Sequence, residues 1–104
     1  MTRHDPTPPE VRRGDFPALR EFLRGYLHQD MQEEYGSVEN AAKQFSRDAD
    51  AEQRRAAAEE WKRLLAHLKG RPLAEFNRAL TQQLGSSQQL EAADIEKISA
   101  ALKG

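Results

Sequence analysis

The sequence predicts an all-α protein, a compact single-domain bundle of about five helices over residues 16–28, 37–47, 51–69, 72–84 and 90–102. Three observations carry this. Apolar residues recur at spacings of three and four in each stretch, the period of a helix with one buried face. No segment alternates apolar and polar residues over the length of a strand. The links are short and carry helix-stopping Gly or Pro, which favours antiparallel neighbours in one bundle. A chain of 104 residues is enough for one domain with one core.

Residues 1–14 hold Pro6, Pro8, Pro9 and Gly14 and little to bury, so they read as a flexible leader to a helical domain over 15–104. The first helix starts at Asp15-Phe16-Pro17, with Asp15 as cap and proline in the first turn, where its missing N–H is tolerated. Phe16, Leu19, Leu23 and Tyr26 share a face that Phe22 and Leu27 widen. Gly25 inside this helix costs about 1 kcal/mol against alanine. It marks either a close backbone approach or a loosening before His28. Residues 31–36 read as a polar connection ending at Gly36.

Ser37 caps the second helix, whose Val38, Ala41, Ala42 and Phe45 share a face. Asp50 followed by Gln53 is a capping box that opens the longest helix. Ala57, Trp61, Leu64 and Leu68 form its stripe, flanked by Ala58 and Leu65. Gly70 and Pro72 end it. The fourth helix carries Leu73, Phe76, Leu80 and Leu84 and is closed by Gly85. The last carries Leu90, Ile95, Ile98 and Leu102.

With no cysteine, the chain has no disulfide, no thiolate metal site and no cysteine nucleophile, which fits a cytoplasmic location. No apolar run approaches the roughly 20 residues needed to span a bilayer, and Met1-Thr2-Arg3-His4-Asp5 does not open a secretory signal. A net charge of -1 gives no reason to expect binding of nucleic acid or membrane. Charge is nonetheless polarised. Residues 28–52 hold Asp30, Glu33, Glu34, Glu39, Asp48, Asp50 and Glu52 against Lys43 and Arg47, and residues 61–104 are net basic.

Chemistry concentrates in Gly25-Tyr26-Leu27-His28-Gln29-Asp30. His28 and Asp30 are the pair to weigh for acid–base work. Residues two apart diverge on a helix, so the two converge only if the helix ends near Leu27. No nucleophile is tied to them. His4, His28 and His67 show no metal-ligand spacing, and Gly85-Ser86-Ser87 lacks the lysine and strand of a phosphate loop. No cofactor is expected. The acidic stretch is either a solvated face or a docking surface for a basic partner, with Asp30, Glu33, Glu34, Glu39 and Asp48 as the contacts.

Phe16-Pro17-Ala18-Leu19 followed by Gly25-Tyr26-Leu27-His28-Gln29-Asp30 resembles the opening of an immunity-protein family of contact-dependent growth inhibition systems. Ser37-Val38-Glu39, Phe45, Leu80 and Leu84-Gly85 extend the resemblance over most of residues 15–85. Two features depart from it: Met31 stands where an aromatic is usual, and the C-terminal helix lacks the tryptophan expected near it. The resemblance implies an all-helical, non-enzymatic inhibitor that binds a cognate toxin C-terminal domain, often a nuclease, one to one in the bacterial cytosol. It implies no small-molecule substrate and no direct contact with nucleic acid. Gly25, Tyr26, His28, Gln29 and Asp30 would then be mainly structural. A small hydrolase using His28 and Asp30, or a helical adaptor for an unrelated protein, are the alternatives.

Overall fold

The computed structural model describes residues 13–103, and every regular element in that range is helical. A 3-10 turn, Arg13–Asp15, leads into α1, Pro17–Tyr26. Then follow α2, Met31–Tyr35, α3, Val38–Asp48, and α4, Ala51–His67. α5, Leu73–Arg78, runs on through one π turn, Ala79–Gln83, and α6 is Ala92–Lys103. Of the leader expected over 1–14, residues 1–12 lie outside the described residues.

The all-α bundle is as expected, and its caps are those the sequence encodes. Ser37 Oγ accepts the Asn40 N–H at 3.1 Å. Asp50 and Gln53 close both halves of their capping box, at 2.7 and 3.3 Å. α1 packs on α3 and α4, and α6 packs on α3 and α4. Leu19, Phe22, Leu23, Ala41, Ala42, Leu64, Leu80, Leu84 and Ile98 are fully buried where they meet. Trp61 anchors the α4–α6 contact. Its ring meets Phe76 edge-on at 5.9 Å, and its Nε1–H donates to Ser99 Oγ at 2.8 Å.

Four local expectations are corrected. First, residues 31–36 are not a plain connection, since Met31–Tyr35 is helical. Met31 is buried, and Tyr35, one turn on, packs against the core. One turn is too short for periodicity to register. Second, Asp15 does not cap α1. Phe16 holds the cap position with no side-chain bond, and the buried carboxylate of Glu60 on α4 accepts the Leu19 N–H at 2.7 Å instead. Third, Leu73 lies outside the core at 41% exposure. Fourth, Leu90 is buried but precedes α6, as part of the 84–91 loop.

That loop is held by Asn77. Its amide nitrogen donates to the Leu90 carbonyl at 2.8 Å, and its oxygen accepts the Leu90 N–H at 2.6 Å. A buried side chain thus satisfies a backbone pair that no helix covers. The loop then reaches the end of α1, where the dense motif lies.

Candidate functional site

The backbone leaves helical geometry at Leu27, with φ -102 and ψ 45, so His28 falls beyond α1. Its ring is held on both sides. Nδ1 accepts the Asp30 N–H at 3.0 Å, and Nε2 lies 2.9 Å from Glu34 Oε1. Because Nδ1 is taken by a donor, the ring proton sits on Nε2 and is donated to Glu34. The helix does end where convergence with Asp30 required. What meets His28, however, is the Asp30 backbone and not its carboxylate, which is exposed and makes no cap bond to α2. Both ring nitrogens are engaged in shaping the turn, so a His28–Asp30 acid–base pair is not formed.

Tyr26 ties the same turn to α3. Its hydroxyl donates to Asp48 Oδ2 at 2.7 Å, and Gln44 Nε2 donates to Asp48 Oδ1 at 2.8 Å. The Tyr26 ring stacks on Tyr35 with centroids 5.6 Å apart and meets Phe45 edge-on at 5.5 Å. Burial first, and then the bond to Asp48, push the Tyr26 hydroxyl from 10.0 up to about 12. Asp48 is held below its ordinary 3.8, chiefly by the Tyr26 hydroxyl and then by the Gln44 amide. Burial raises Tyr35 as well, with smaller contributions from Glu34 and Asp48 on either side of it.

From the far end of the chain, the Ser87 N–H donates to the Leu27 carbonyl at 2.9 Å, and Gln88 Nε2 donates to the His28 carbonyl at 2.7 Å. Ser86 Oγ accepts the Gln88 N–H at 3.0 Å and donates to the Gln88 carbonyl at 2.7 Å, which keeps that residue in place. Ser87 and Gln88 were not identifiable from the sequence, because a loop contact leaves no periodic trace. Gln29 is exposed, and a Cβ at Gly25 would meet nothing within 4 Å. Gly25 therefore serves no close approach from within the described residues.

The five acids named as contacts do not form one patch. Asp30, Glu33 and Glu34 are exposed at the start of α2, and Glu34 and Asp48 both act on Tyr35. Glu39 and Asp48, nine positions and two and a half turns apart, lie on opposite sides of α3. Glu39 faces α6 and lies within 3.2 Å of Lys43 and 3.8 Å of Lys97. The arrangement is an aromatic and imidazole framework, hydrogen-bonded at Tyr26 and His28, that presents carboxylates to solvent. Among the described residues, no three metal-binding side chains come together, and no helix is long and apolar enough to cross a membrane.

Residues 15–96 match the sequence profile of a family described as CdiI immunity protein. No curated protein and no solved structure matches the chain.

Proposed function

The chain belongs to the CdiI immunity protein family, and from that premise we propose that it binds and neutralises a cognate contact-dependent growth inhibition toxin domain. In this reading the toxin is a nuclease, held one to one in the bacterial cytosol. The observation that carries the surface assignment is the set of exposed carboxylates of Asp30, Glu33 and Glu34 beside the Tyr26–Asp48 bond. A nuclease must gather a polyanion, so its substrate groove is basic, and a fixed acidic face covers such a groove with little reorganisation. His28 works for binding indirectly, by fixing Glu34 and the Asp30 backbone. Glu39, already paired with lysines, lies on the far side of α3 and contributes least.

Coexpression with the toxin encoded immediately upstream tests this. The expected result is rescue of growth, a one-to-one complex on a sizing column, and an association rate that falls as salt rises. Unrelieved toxicity with no complex would refute it. The hydrolase alternative makes the opposite demand. His28→Ala should abolish a turnover there, whereas the immunity reading expects weaker binding or a lower Tm and no turnover in either protein.

A further inference from the structure

Gly25 is a motif residue for which the fold supplies no reason. Its φ is not positive, no described atom crowds its absent side chain, and it sits one residue from the end of α1, where alanine makes better helix. It lines a concavity of about 650 Å³ together with Pro17, Arg20, Glu21 and Arg24. Arg20 and Arg24 stand one turn apart, a spacing at which like charges oppose the helix. Among the described residues neither is paired with a carboxylate, and Arg20 Nε is buried without a hydrogen-bond acceptor. Arg24 runs close past Gly85, where an added Cβ would come within 2.7 Å of its Cγ. The Arg24 stem lies against bare loop backbone, which limits its freedom before any ligand arrives.

We propose that this concavity is a docking surface for a carboxylate-bearing segment of the protein partner. An Asp or Glu of that segment is received by Arg20 and Arg24 while its chain passes over the exposed backbone at Gly25. Two unpaired guanidiniums one turn apart suit a carboxylate by geometry and charge. Glu21 in the same lining, 3.4 Å from Gln53 Nε2, leaves a net of one positive charge there. That balances a single carboxylate and disfavours a phosphate dianion. The proposal rests on the toxin-binding reading only for the identity of the partner. It gives the interface a basic element on a different face of α1 from Tyr26, and mixed charge sets orientation as well as attraction.

The first test needs no toxin. The full chain is titrated by NMR with a blocked tripeptide of glutamate, glycine and glutamate, and separately with inorganic phosphate. Saturable shifts at Arg24 Nε–H and the Gly25 amide are expected with the peptide, weaker ones with phosphate, and none at the Gly25 amide in Arg24→Gln. Shifts of equal size at Arg55, Lys62 and Lys103, or phosphate binding as tightly as the peptide, would overturn the site. The second test uses the toxin complex. Gly25→Ala should raise the Tm and weaken toxin binding about tenfold. A raised Tm with unchanged affinity would overturn the docking assignment. A wild-type chain that binds no toxin at all would overturn the toxin reading, and the peptide titration then decides this surface alone.

Discussion

Glu60 caps α1 from another helix, its carboxylate accepting the Leu19 N–H at 2.7 Å while the residue is only 7% exposed. The bond satisfies an N–H that no residue of α1 serves, and it locks α1 to α4. Burial, the largest influence, raises the Glu60 pKa above 4.5, against the lowering effects of the Leu19 N–H and of Arg63. Its folded pKa therefore exceeds the unfolded one, so its contribution is fullest below 4.5 and is lost as pH rises through the folded value. Glu60→Leu, which strands the Leu19 N–H, is expected to cost about 1–3 kcal/mol in urea unfolding. Glu60→Gln keeps an acceptor, should cost less, and should flatten stability against pH above 4.5.

Tyr26 and Asp48 set the two pH limits of the turn that follows α1. Tyr26 is raised from 10.0 to about 12, so its contribution holds below 10.0 and is lost as pH rises toward 12. Asp48 is lowered, so its contribution holds above 3.8 and is lost as pH falls through its folded value. Tyrosinate absorbance should show both tyrosines of the wild type titrating above 10.0, with Tyr26 the later of the two, at about 12. Tyr26→Phe should remove the step at about 12, leave that of Tyr35, and weaken both pH limits of stability.

Asn77→Ala leaves both backbone groups of Leu90 without partners. A loss of about 2–4 kcal/mol is expected. Hydrogen exchange should quicken first at Ser86 to Leu90 and then at the turn they hold. If protection there matches wild type, Asn77 is not what fixes the loop.

Charge reversal on α2 should separate the two acidic faces. Glu33→Lys and Asp30→Lys are expected to slow toxin association about tenfold at low salt, with smaller changes in dissociation. Glu39→Lys, on the opposite side of α3, should change the rate little. Stopped-flow association at several salt concentrations reads both. An equal effect from all three substitutions would mean that only net charge matters.

Features whose cause lies within one or two turns could be read from the sequence. The capping box at Asp50–Gln53 and the stripe of Val38, Ala41, Ala42 and Phe45 are local patterns, and each is found in place. Glu60, Asn77 and Gln88 are polar residues whose partners lie 41, 13 and 60 positions away, so no spacing rule reaches them. α2 leaves no periodic signal in the sequence, because two inward residues, Met31 and Tyr35, make no repeat. For the site, the motif stretch was visible as a dense cluster. That His28 meets a main-chain N–H rather than a side chain depends on how the chain turns after Leu27.

The bonds from Ser87 and Gln88 to Leu27 and His28 have a consequence for timing during synthesis. The turn that carries the acids is made early, yet two of the bonds that shape it come from residues translated some sixty positions later. Such long-range closure is slow relative to helix formation. A nascent chain stopped before Ser87 would carry the motif without these two bonds, and the turn would take its final shape only once Gln88 had emerged.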